Sequence, residues 1–107
     1  MEISQLLKGV LDLAVLAVLR GHDGYGYDVL RRLRQAGLEE VGDASVYGTL
    51  RRLYKAGLLT SYVVPSEEGP HRKYYSLNES GRQRLAESGR TWTTFAKTMD
   101  SLLGEAA

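Results

Sequence analysis

The sequence predicts a mainly α-helical domain with a single β-hairpin and a long terminal helix. Three observations carry this: apolar spacing of three and four residues up to Gly57, alternating spacing from Leu58 to Leu77, and a sevenfold apolar stripe thereafter. The 107 residues, 43% apolar and 25% charged, leave room for one core. A chain of this length buries a limited share of its surface, so association through an apolar face would add to its stability. Lys and Arg number 14 against 13 Asp and Glu, a formal +1, and only local clustering of charge can point to a partner. The absence of cysteine excludes disulfides, thiolate zinc sites and cysteine nucleophiles. The longest apolar run, Leu13 to Leu19, is far short of the roughly 20 residues a membrane span needs. Met1-Glu2 lacks the basic start of a secretory peptide, and Arg20-Gly21-His22-Asp23 stands where a small-residue cleavage site would be; the expectation is a cytoplasmic protein.

The elements follow in order. Ile3, Leu6, Leu7, Val10, Leu11, Ala14, Val15 and Val18 keep helical spacing, and beyond Asp12 nearly every side is apolar, so helix 1 must be covered on most faces. Gly21, Asp23, Gly24 and Gly26 form a breaker cluster. Tyr27, Leu30 and Leu33 resume the helical period in helix 2, which ends at Gly37. Asp43 is an N-cap or first-turn carboxylate for helix 3, which turns Val46, Leu50 and Leu53 inward and stops at Gly57. Leu58 to Val64 and His71 to Leu77 are rich in β-branched and aromatic residues and flank the turn Pro65 to Pro70: one hairpin. Asn78 caps the last helix. Leu85, Trp92, Met99 and Ala106 are spaced by sevens along it, as are Ser88, Phe95 and Leu102, while Gly81, Gly89 and Gly104 weaken it.

Helix, helix, turn, helix and then a hairpin is the order of a winged helix-turn-helix, in which the third helix enters the DNA major groove and the hairpin is the wing. Residues 1–77 are read as this DNA-binding domain and residues 78–107 as a C-terminal dimerisation helix. Charge agrees with the order. Between Ser45 and Tyr75, Arg51, Arg52, Lys55, Arg72 and Lys73 outnumber Glu67 and Glu68, and helix 2 adds Arg31, Arg32 and Arg34 against Asp28. At 100° per residue, Ala44, Gly48, Arg51 and Lys55 lie opposite the inward stripe of helix 3, with Tyr47 on one flank and Ser45, Thr49 and Arg52 toward the other. Gly48 costs about 1 kcal/mol inside a helix, which suggests a close approach to a groove wall. Arg and Lys side chains reach phosphates or guanine edges. His22 and His71 have no carboxylate or cysteine at metal spacing, so no metal or other cofactor is expected. Ser45 has no candidate base, and no catalytic residue is assigned; the chain does not read as an enzyme.

Four blocks resemble the PadR family of bacterial transcriptional regulators. They are Leu7-Lys8-Gly9-Val10-Leu11; Tyr25-Gly26-Tyr27-Asp28-Val29; Ser45-Val46-Tyr47-Gly48-Thr49-Leu50-Arg51-Arg52-Leu53 with Gly57-Leu58; and Arg72-Lys73-Tyr74-Tyr75-Ser76-Leu77-Asn78-Glu79-Ser80-Gly81. The length and single terminal helix are similar to the smaller subfamily, whose members dimerise through that helix and the first. The resemblance implies that Ser45, Tyr47, Thr49 and Arg51 fall on the DNA-facing part of helix 3, and His71, Arg72 and Lys73 on the wing. Gly48 stands where the family often has proline, and Asn78 where it often has threonine.

The expected partners are operator DNA, a second copy of the chain and a small aromatic effector, with no membrane. Leu85, Trp92, Phe95, Met99 and Leu102 are the candidate dimer and effector surface; Trp92 either packs in the interface or forms an aromatic wall for the effector. The reading is a dimeric, sequence-specific repressor released by that effector. A winged-helix module for protein contacts is the alternative.

Overall fold

The computed structural model describes residues 3–104; Met1, Glu2, Glu105, Ala106 and Ala107 lie outside them, and with Ala106 one position of the sevenfold stripe. The elements are α1 (Ile3–Gly21), β1 (Gly24–Tyr25), α2 (Gly26–Gln35), α3 (Asp43–Lys55), β2 (Leu59–Val64), β3 (Arg72–Leu77) and α4 (Glu79–Gly104). The fold is the expected mainly helical winged helix-turn-helix with a long C-terminal helix, with one addition. The breaker cluster contains a strand: β1 pairs with β3 through Gly24 with Tyr75 and Tyr25 with Tyr74, which gives an antiparallel sheet in the order β1-β3-β2 rather than a bare hairpin. The β2–β3 register runs from Leu59 opposite Leu77 to Val64 opposite Arg72.

Glycine stops α2 and α3 in the same way. Gly37 (φ 120°) and Gly57 (φ 81°) take the left-handed conformation, and the next amide donates five residues back, Leu38 to Leu33 and Leu58 to Leu53, each at 3.0 Å. The N-cap of α3 is Gly42, and Asp43 is the first-turn carboxylate. The core gathers Val15, Leu16 and Leu19 of α1, Val29 and Leu33 of α2, Val46, Leu50 and Leu53 of α3, and Leu59, Tyr75 and Leu77 of the sheet. Not all basic side chains of α2 face solvent. Arg32 pairs with Asp28 and donates to the carbonyls of Val18 and His22 at 3.2 Å, closing the end of α1, while Arg34 donates to the Val41 carbonyl at 2.9 Å. These two guanidiniums hold the helix-turn-helix together.

Asn78 caps α4 as expected: its Oδ1 accepts from the Gly81 amide at 2.8 Å, and its Nδ2 donates to the Gly57 carbonyl at 2.9 Å. Gly81 has a packing role. A Cβ there would overlap the Leu58 carbonyl oxygen, so glycine lets the first turn of α4 rest on the end of α3. Leu85, expected at the dimer interface, is only 7% exposed and belongs to the protomer's own core, because α1 lies beneath this part of α4. Beyond Leu85 the helix carries no buried residue. The radius of gyration, 15.5 Å against about 13 Å for a compact chain of this length, reflects that projection.

Candidate nucleic-acid interface

The two flanks of α3 face different neighbours. Tyr47 and Arg51 look toward the wing and line one cleft with Tyr25, Tyr27, His71, Arg72 and Lys73. Ser45, Gly48 and Arg52 line a second groove, shared with Lys8 and Asp12 of α1. Five residues expected to meet DNA therefore converge between α3 and the wing, and three lie on the opposite flank. Thr49, expected on the DNA-facing part, is 2% exposed at the floor of that groove, with its Oγ1 accepting from Arg52 at 3.3 Å, and is too buried to reach DNA as placed. Arg52 is no free cation either. One of its terminal nitrogens donates to both Asp12 carboxylate oxygens, at 2.9 and 2.8 Å. At Gly48 a Cβ would meet nothing within 4 Å, so nothing inside the chain demands glycine there.

Alternation along the wing separates its two cations. Arg72 lies 4.5 Å over the ring of Tyr25, and Lys73 lies 5.1 Å over Tyr54 and 5.5 Å over Tyr75. Each charge rests on an aromatic face that restricts its motion and leaves it accessible. Tyr47, 39% exposed, occupies the space that a side chain at position 26 would fill. Gly26 is thus the seat of the Tyr47 ring at the start of α2. Spacing alone does not place Tyr25 and Tyr27 in this cleft, nor Tyr54 under Lys73; the pattern Tyr25-Gly26-Tyr27, aromatic on both sides of a glycine, is the signal the sequence offers for the first two.

On the outer face of the sheet Tyr62 stacks on Tyr74 at 5.6 Å, and Tyr74 meets Tyr25 edge-on at 5.3 Å. The Tyr62 hydroxyl donates to Asp23 Oδ2 at 2.6 Å, tying the wing to the loop before β1. That hydrogen bond, followed by burial and by the adjacent carboxylate charge, raises the Tyr62 pKa above its ordinary 10.0. The protonated phenol is the form that bonds, so the tie is complete below pH 10 and is lost as pH rises through the elevated value. Tyr62→Phe is expected to remove this alkaline transition from a pH titration of phenolate absorbance and to leave binding at neutral pH nearly unchanged; a transition that persists in the variant belongs to another tyrosine.

The family model described as the transcriptional regulator PadR-like family matches residues 15–87, from the middle of α1 to the early turns of α4. The chain belongs to the PadR-like family. It is a transcriptional regulator by family and not an enzyme. A PadR-like transcriptional regulator from Bacillus cereus is 33% identical, with a TM-score of 0.82 over 92% of this chain and 96% of that one. A PadR family regulator from Eggerthella lenta is 30% identical, with a TM-score of 0.84 over 94% and 88% of the two chains. PadR of Bacillus subtilis, solved in complex with operator DNA, is 26% identical, with a TM-score of 0.67 over 73% of this chain and 45% of that one. Among the described residues, no helix is long and apolar enough to cross a membrane.

Proposed function

We propose that this PadR-like regulator is a sequence-specific, homodimeric DNA-binding repressor that a small aromatic effector releases from its operator. The observation that carries the DNA reading is the single cleft joining Tyr47 and Arg51 of α3 to His71, Arg72 and Lys73 of the wing, a reading helix and a phosphate-binding arm facing the same way. Ser45, Tyr47, Gly48 and Arg51 enter the major groove. His71, Arg72 and Lys73 meet the flanking backbone. The relative solved with operator DNA supports the same use of the fold.

The second copy covers an apolar surface that a soluble monomer rarely leaves open. Along the projecting part of α4, Trp92, Phe95, Met99, Leu102 and Leu103 are exposed, and Ile3 and Leu6 are exposed on α1. Trp92 and Phe95, with ring centroids 6.2 Å apart and tilted by 47°, form an open aromatic corner for a flat ligand at that seam. Quenching of Trp92, the one tryptophan of the chain, together with loss of bound DNA is the signature of the effector; quenching without release assigns Trp92 to packing.

Fluorescence anisotropy on a duplex from the promoter of its own gene tests the DNA reading. Arg51→Ala should weaken binding by about 1 to 3 kcal/mol and relax preference at one base pair. Lys73→Ala should weaken all duplexes alike and reduce the salt slope by about 0.9 per protomer. If both variants bind with native affinity at low and high salt, the winged helix serves protein contacts instead.

A further inference from the structure

Asp12 stands where α1 crosses α3, and it takes up the Arg52 guanidinium through both carboxylate oxygens. The side chains remain 59% and 51% exposed for Arg52 and Asp12, so the pair keeps no charge out of a dry interior, and exposed pairs add little to stability. Its position is more informative than its strength. Asp12 and Arg52 line the groove that also holds Ser45 and Gly48, on the flank of α3 away from the wing, next to the face turned to DNA. An acid there repels phosphate and occupies Arg52, the basic side chain by which α3 lines this groove. Arg51, the next residue, has no such partner among the described residues.

We propose that Asp12 is a positioning residue for DNA binding: it withholds Arg52 from the phosphate backbone. The proposal rests on the DNA reading above. Phosphate contacts strengthen binding to every sequence alike, whereas base contacts discriminate. Holding Arg52 back lowers sequence-blind affinity and leaves the base-reading contacts a larger share of the total. Asp12 thus sets how strongly the regulator holds DNA that is not its operator.

Anisotropy titrations of the full chain over a range of salt concentrations, on the promoter duplex and on a scrambled duplex of equal length, test this. Asp12→Asn should raise affinity for both duplexes about threefold to tenfold at low salt and steepen the log K against log salt slope by about 0.9 per protomer, one phosphate contact each. Arg52→Ala alone should leave the slope unchanged, yet cancel the slope increase when combined with Asp12→Asn, leaving only the gain from losing the repelling carboxylate. Asp12→Glu, which keeps the pair, should behave as the native chain. A merely structural pair would move the melting temperature and leave the salt slope alone. An unchanged slope in Asp12→Asn overturns the proposal, as does a slope that falls by about 0.9 in Arg52→Ala alone, which would make Arg52 a phosphate contact already. Failure of the native chain to bind either duplex sinks the DNA reading and this inference together. Loss of binding in Arg51→Ala beside an unchanged slope in Asp12→Asn sinks this inference only.

Discussion

Gly81→Val will destabilise the fold by about 3 kcal/mol, while Gly89→Ala, eight residues along the same helix, will stabilise it by about 0.5 to 1 kcal/mol. The two glycines share a helix and differ in what surrounds them. A side chain at position 81 meets the Leu58 backbone carbonyl and the Leu77 side chain, and a carbonyl at the end of α3 cannot retreat without breaking the bond it accepts from Asn78. At position 89 a Cβ meets nothing within 4 Å, so only the entropy of the unfolded chain changes. Denaturant midpoints of the two variants should move in opposite directions. Shifts of the same sign would show that the first turn of α4 does not rest on α3 as described.

Phe95→Asp will dissociate the proposed homodimer and cut operator affinity at least a hundredfold. Phe95 is 56% exposed, with Trp92, Met99 and Leu102 nearby on the helix, so the substitution leaves the protomer core intact and places a carboxylate in the middle of the proposed seam. A monomer reads one half-site and forfeits the effective concentration that linkage gives the second, typically a factor of about 10² to 10⁴. Sedimentation equilibrium should show a folded monomer. A dimer of undiminished affinity would move the interface away from α4.

The helices, the wing and the inward stripe of α3 were legible because each rests on a local period or a local stop signal: the spacing of Val46, Leu50 and Leu53, and the glycines at 37 and 57. Thr49 was not legible as a buried residue. It lies about 60° from the centre of the inward stripe, and whether that angle is covered depends on α1 crossing on that side, which no local spacing records. The same crossing supplies Asp12, forty residues from Arg52 in the chain. Leu85 and Trp92 occupy equivalent positions of one sevenfold repeat and still differ, 7% against 45% exposed, because a repeat shows that an apolar partner is needed and not which chain provides it. Strand β1 escaped notice for a simpler reason: two residues, one of them glycine, carry no period.

The amide of Asn78 gives the molecule a pivot. One half of it holds the carbonyl of Gly57, just past the recognition helix, and the other half holds the amide of Gly81, inside α4. From Glu79 to Gly104 the helix is an arm of about 39 Å, at 1.5 Å per residue. A rotation of about 5° at the pivot sweeps the tip through about 3.4 Å, more than half a helical turn of rise. Read in the other direction, the arm is a reduction gear. In the proposed homodimer, a displacement of ångströms where two arms meet arrives at α3 as a turn of only a few degrees.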